Sequence, residues 1–179
     1  SKTVIVSSPV EGVLEALFIK KGDFVRKGQV VAQVISPEIN QIIAQIETAK
    51  VKVQTAKNIL DREELLYKEE VIPYSRYFSA KVEYENAVAT LKSLERVLSS
   101  YGIVKNGKLM LTSKVSGVVL EISAFVGSPV SVDKEIGKIA DLSEVLVVAQ
   151  IPPEEVKKIK IGDKVFIVGL DNVELEGKV

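Results

Sequence analysis

Two stretches of this chain repeat each other at an offset of 105 residues, and a long helical pattern lies between them. Ser8-Pro9-Val10-Glu11-Gly12-Val13-Leu14 matches Ser113-Lys114-Val115-Ser116-Gly117-Val118-Val119. Leu17 falls on Ile122, Gly22 on Gly127, Val25 on Val130, Val31 on Ile136 and Val34 on Ile139, with no gap. Each copy reads as an entry strand, a V-x-G-V bend, an apolar strand, a glycine turn and a closing strand. Gly22-Asp23 and Gly127-Ser128 stand where a tight turn needs φ > 0. A half of about 30 residues cannot bury a core alone, whereas two halves that face each other can. The expected product is a small β-sandwich with pseudo-two-fold symmetry.

The insertion has a different composition. Residues 38–101 are rich in Ala, Glu, Lys, Leu and Gln and contain no Gly. Ile39, Ile42, Ile46, Ala49, Val53, Ala56 and Leu60 step by three and four, and Tyr67 resumes the series after a polar gap at Glu63. A second series runs Tyr77, Ala80, Tyr84, Ala87, Leu91, Leu94, Leu98, Tyr101. Both are heptad seams. Ser36 stands at the N-cap position with Pro37 in the first turn. Pro73 is expected to stop the first helix and Ser75 to cap the second. Gly102 ends the second as the residue past its C-cap. The insertion therefore reads as an antiparallel two-helix coiled-coil hairpin. Its turn is unusually apolar, with Tyr67, Val71, Ile72, Tyr74, Tyr77 and Phe78 close together. Apolar side chains at the end of an otherwise charged arm point to a docking surface.

After the second copy, Ile139 to Ile151 reads as one long strand. Pro152 to Ile159 reads as a short helix with acids early and lysines late. Ile161-Gly162-Asp163-Lys164-Val165-Phe166-Ile167-Val168 reads as a turn and strand. This unit is expected to open a second β-domain. No leader pattern opens the sequence. Val173 to Val179 reads as a strand whose neighbours lie further along a longer protein.

Several function classes are excluded. The sequence has no Cys and no His, so it offers no zinc finger, Cys-ligated iron–sulfur cluster, His-ligated haem, or Ser-His-Asp or Cys-His catalytic set. An Asp/Glu site for a hard cation stays open. Twenty-four Lys+Arg balance 24 Asp+Glu, which argues against bulk attraction to nucleic acid or anionic lipid. No apolar run approaches the roughly 18–20 residues of a membrane span.

The split repeat resembles the biotinyl/lipoyl-carrier fold. The whole order resembles periplasmic adaptor proteins, also called membrane-fusion proteins, in which a helical hairpin interrupts a lipoyl-like domain and a β-barrel follows. The residues that carry the likeness are Ser8-Pro9-Val10-Glu11-Gly12-Val13, Lys21 to Gln29, Ser116-Gly117-Val118-Val119, Ile139 to Val145 and Ile161 to Val165. The resemblance implies a mixed α and β, elongated chain. Residues 1–36 and 109–140 would be the two halves of a lipoyl-like β-sandwich. Residues 37–102 would be the α-helical hairpin, and 141–179 a partial, partly open β-barrel domain. Carrier domains hold their cofactor on a Lys at the tip between the halves. Here the insertion replaces that tip, so no lipoyl or biotin cofactor is expected.

The resemblance also implies a non-enzymatic subunit of a tripartite efflux or secretion system. Such a subunit bridges an inner-membrane transporter, of the resistance-nodulation-division or ABC type, and an outer-membrane channel. It would lie in the periplasm, anchored to the inner membrane through residues outside this sequence, and form a ring, often of six copies. With no phosphate loop here, the transporter would supply the energy. Many adaptors of resistance-nodulation-division pumps carry Arg, Leu and Ser at the hairpin tip. Arg62 and Leu66 match the first two at the same spacing. The third position is Pro73, with Ser75 two residues on. The expected channel-docking residues are Arg62, Leu66, Val71, Ile72, Pro73 and Ser75. The cargo stays open, although a lone Met110 and no His weaken a direct copper or silver role for this segment. The alternatives are a biotin- or lipoate-type carrier, which needs a modified Lys at the tip, and a plain coiled-coil scaffold.

Overall fold

The two repeats fold into matching strands and exchange them. The computed structural model describes residues 2–141, 147–168 and 174–179. They fall into two units, Ser1–Glu144 and Val145–Val179. In the first unit, the first repeat supplies β1 (Lys2–Ser7), β2 (Gly12–Leu17), β3 (Phe24–Val25) and β4 (Val30–Ile35). Helices α1 (Pro37–Lys68) and α2 (Tyr74–Ser100) follow. A short β5 (Ile103–Lys105) precedes the second repeat, which gives β6 (Lys108–Thr112), β7 (Gly117–Ile122), β8 (Pro129–Val130) and β9 (Glu135–Asp141).

The sheets run β1-β9-β7-β3 and β5-β6-β4-β2-β8. Each entry strand pairs with the closing strand of the other repeat: β1 with β9, and β6 with β4. The short strands cross over as well, β3 onto β7 and β8 onto β2. The symmetry extends to single hydrogen bonds. The Gly22 amide donates to the Val119 carbonyl at 2.8 Å, and the Gly127 amide to the Leu14 carbonyl at 2.7 Å. Both glycines have φ +92°. Ser8 Oγ and Ser113 Oγ each donate to the carbonyl two residues on, at 2.6 Å. The core is built from equivalent pairs, Leu14 with Val119, Val25 with Val130, Val31 with Ile136 and Val34 with Ile139, joined by Leu109 and by Ile39 of α1. The two glycines of the V-x-G-V bends serve close approach rather than a positive φ. A Cβ on Gly12 would meet the Ile35 carbonyl oxygen at 2.2 Å, and one on Gly117 the Ala140 oxygen at 1.7 Å.

Ser36 caps α1, its side chain accepting from the Ile39 amide. Burying Ile39 in the sandwich core fixes the root of the helix. Ile42, Ile46, Ala49 and Ala56 are buried along the seam, and Tyr77, Ala80, Tyr84, Ala87, Leu91, Leu94 and Leu98 of α2 are half-buried. At the root the Tyr101 hydroxyl donates to Glu38 at 2.6 Å, so the end of α2 lies beside the start of α1 and the helices run antiparallel. With 32 and 27 residues they extend about 48 and 40 Å at 1.5 Å per residue.

Three expectations for the helices are corrected. Glu63 is no gap in the seam but part of it, only 3% exposed. Pro73 does not stop α1. The helix ends at Lys68, where Glu70 turns into the left-handed region at φ 60°. The Glu70 amide then donates to the Tyr67 carbonyl and the Val71 amide to the Leu66 carbonyl, which satisfies the last carbonyls in a Schellman arrangement. Ser75 does not cap α2. Pro73, extended at ψ 152°, is the cap residue and makes no side-chain cap bond, which leaves Ser75 inside the first turn. None of the expected elements covers 103–108, where Asn106 and Gly107, both at positive φ, close a two-residue hairpin between β5 and β6.

In the second unit, β10 (Lys164–Val168) and β11 (Glu174–Lys178) form an antiparallel ribbon. The turn before β10 copies that of the first repeat. The Lys160 amide donates to Asp163 Oδ2 at 2.8 Å, as the Lys20 amide does to Asp23 Oδ2. The long strand expected over 139–151 does not extend to 147–151. β9 ends at Asp141, residues 142–146 lie outside the described residues, and 147–151 is not strand. Among the described residues no strand pairs with 147–151, and Pro152 and Pro153 that follow lack the N–H a ladder uses. The expected helix over 152–159 shortens to α3 (Pro153–Val156).

Candidate docking surface at the hairpin turn

The turn between α1 and α2 places exposed apolar side chains, Val71, Tyr74 and Phe78, close in sequence to charged ones. The Schellman bonds bring Leu66 and Val71 together, since the residue after the left-handed turn folds back over the last helical turn. Leu66 is half-buried and Val71 is 64% exposed. Ile72 is half-buried, while Pro73 and Ser75 are exposed. Four rings pack along one flank. Tyr67 of α1 stacks on Tyr77 of α2 with centroids 5.3 Å apart and meets Tyr74 edge-on at 5.6 Å. Tyr74 continues to Phe78 at 5.7 Å. Tyr74 and Phe78 remain about half exposed. These rings close the end of the seam on one side and present apolar area on the other.

Arg62 does not point freely into solvent. Its Nε and Nη2 donate to Glu63 Oε1 at 3.3 and 3.1 Å. Arg76, one turn into α2, donates from Nη2 to the same oxygen at 3.0 Å, and its Nε stands 2.5 Å from Glu63 Oε2. The hydrogen bond from Arg76, assisted by Arg62, holds the Glu63 carboxyl below the ordinary glutamate range despite its burial. Neighbouring charges are paired along α1: Lys57 with Asp61, and Lys68 with Glu64 at 2.8 Å.

Of the expected residues, Leu66 and Val71 are joined by a main-chain hydrogen bond, Arg62 is engaged with Glu63, and Ser75 lies on the exposed start of α2. Glu63 and Arg76 were not among the expected residues. A charge at a seam position and a charge at i+13 on the opposite helix are the signals that mark such a pair. Elsewhere, a groove of about 490 Å³ opens between β1 and β6. Equivalent residues of the two repeats line it, Ile5 with Met110 and Val6 with Leu111. Its lining offers no convergent acid–base pair.

The profile of the family described as CzcB-like, barrel-sandwich hybrid domain matches residues 2–141. The nickel-cobalt-cadmium resistance protein NccB of Alcaligenes xylosoxydans xylosoxydans is 26% identical over 98% of this chain and 44% of its own length. The chain spans under half the length of the curated relatives it matches. Among solved structures, ZneB of Cupriavidus metallidurans superposes with a TM-score of 0.63 at 20% identity, covering 99% of this chain and 76% of its own. A MacA–MexA chimera carrying the Pseudomonas aeruginosa MexA α-hairpin domain gives 0.60 at 22% identity, covering 99% and 60%. These likenesses show the fold.

Proposed function

Because the chain belongs to the CzcB-like barrel-sandwich hybrid family, we propose that it is the adaptor part of a tripartite efflux system in the cell envelope. It couples an inner-membrane transporter of the resistance-nodulation-division type to an outer-membrane channel and does no chemistry itself. Residues 1–36 and 109–140 form the lipoyl-like base, 37–102 a coiled-coil arm that reaches the channel, and 141–179 the start of a barrel domain. Copies assemble into a ring. Relatives are named for resistance to nickel, cobalt and cadmium, and the proposed cargo is accordingly a divalent transition-metal cation.

The observation that carries this reading is the family match across both repeats, with the helical arm between them. An arm of about 48 Å with one seam, rooted by Ile39 and ending in exposed apolar groups, suits reach and contact. Deleting the gene is expected to sensitise the host to nickel, cobalt, cadmium or zinc salts, with restoration by the wild-type gene. Unchanged tolerance to all four, with the protein expressed in the parent strain, would sink the proposal.

A further inference from the structure

A buried carboxylate in a two-helix seam is a costly choice. An apolar residue of similar size packs there without desolvating a charge. Glu63 nevertheless fills the seam, and its two oxygens gather guanidinium groups from both helices, Arg62 from α1 and Arg76 from α2. The arginine side chains are 63% and 57% exposed. Each engages Glu63 through Nε and Nη2, and a guanidinium carries further N–H donors beyond those two contacts. Within the cluster two guanidiniums share one carboxylate, while the exposed acids Glu69 and Glu70 of the same turn form no ion pair with either arginine. Among the described residues, both arginines form their ion pair with Glu63.

We propose that Arg76 is a second channel-docking residue, and that Glu63 is a positioning residue that locks Arg62 and Arg76 into one rigid two-pronged cationic fork. This rests on the adaptor reading above. The fork fits oxygen acceptors on the outer-membrane channel, either carboxylates or the free carbonyls at a helix C-terminal end. It supplies polar contact on the α2 side of the turn, where Pro73 has neither hydroxyl nor N–H to offer. Fixing both guanidiniums before contact lowers the ordering cost of binding, which two free arginines would each meet.

The test uses the full-length protein in living cells, with a photo-reactive benzoylphenylalanine at Ser79, an exposed position one turn beyond Arg76, or at Val71 on the apex. Both positions are expected to cross-link to the outer-membrane channel. E63L and R76Q are each expected to reduce the Ser79 cross-link about tenfold, as loss of an interface anchor does. E63L is also expected to keep the helical content and thermal midpoint of the wild type, which a purely structural role for Glu63 would not couple to lost docking. R76Q changes an exposed side chain and leaves Glu63 held by Arg62, so it carries the test should E63L fail to fold. Salt in the medium weakens the cross-link for carboxylate acceptors and leaves it for carbonyls. A Val71 cross-link with no Ser79 cross-link, or a Ser79 cross-link unmoved by R76Q, overturns the fork and leaves the adaptor. No channel cross-link from either position overturns both.

Discussion

A Cβ on Gly117 would stand 1.7 Å from the carbonyl oxygen of Ala140, and the same relation recurs between Gly12 and Ile35 at 2.2 Å. The obstacle is backbone, which cannot swing aside like a side-chain end. Gly117→Ala and Gly12→Ala are each expected to destabilise the first unit by about 3 kcal/mol or more, the upper range for overpacking. Urea denaturation of the purified protein reads this directly. Midpoints equal to the wild type would show that the bend accommodates a methyl group after all.

The equivalent serines make an internal control. Ser8 and Ser113 are both buried, and each ties down the carbonyl two residues on. Removing either hydroxyl leaves a sequestered acceptor without its donor. Ser8→Ala and Ser113→Ala are expected to cost about 1 kcal/mol each and to agree with one another. A large inequality in denaturation free energy would mean that the repeats match in geometry but not in energetics.

Glu70 occupies a left-handed conformation that favours glycine. Glu70→Gly is expected to raise the stability of the helical arm by about 0.5–1 kcal/mol, the left-handed cost being partly offset by the freer unfolded chain. Helix melting by circular dichroism is the measurement. A fall in the midpoint would show that the Glu70 side chain contributes more than its backbone strain removes.

The Glu63 carboxyl titrates lower in the folded state than in the unfolded chain, because Arg76 and then Arg62 hydrogen-bond to its ionised form. Its contribution is therefore fully present above the ordinary glutamate range. It disappears as pH falls through the depressed folded value, below which both states bind the proton. The stability difference between wild type and Glu63→Gln is expected to shrink on acidification. Thermal midpoints measured over a pH series would show it, and a difference independent of pH would assign the effect to shape rather than charge.

At the turn, Arg62→Asp places an acid against Glu63, and Leu66→Asp puts a charge on the half-buried position whose carbonyl accepts from the Val71 amide. Both are expected to lower metal tolerance to near that of the deletion strain while the protein remains folded. Wild-type tolerance in cells carrying either change would remove the turn from the docking surface.

The repeat was legible in the sequence because its signals are local and doubled. Gly22 and Gly127 mark one turn twice, and the equivalent core pairs keep the same spacing. The helices were legible through their seams. What stayed hidden depends on partners distant in sequence. Glu63 looks like an interruption of the seam until Arg76, thirteen residues on, is seen to meet it across the pair. Pro73 looks like the end of α1 because the left-handed stop is made by Glu70, where a glycine would announce it. The Asn106-Gly107 dipeptide, by contrast, is a sequence signal for the β5–β6 hairpin that the helical pattern overshadowed.

The exchange of strands between the repeats also governs how the chain can assemble. Lys2 finds its partner in Asp141, and Val30 in Thr112, so neither sheet can be completed from one repeat alone. During synthesis the first repeat emerges as strands with open edges and must wait for the second. The arm between them needs only nearby contacts and forms early by comparison. Once it forms, the Tyr101–Glu38 contact at its root brings the two waiting repeats side by side and removes most of the loop-closure entropy that their pairing faces. The element that reaches outward in the finished protein is thus the scaffold on which its base is put together.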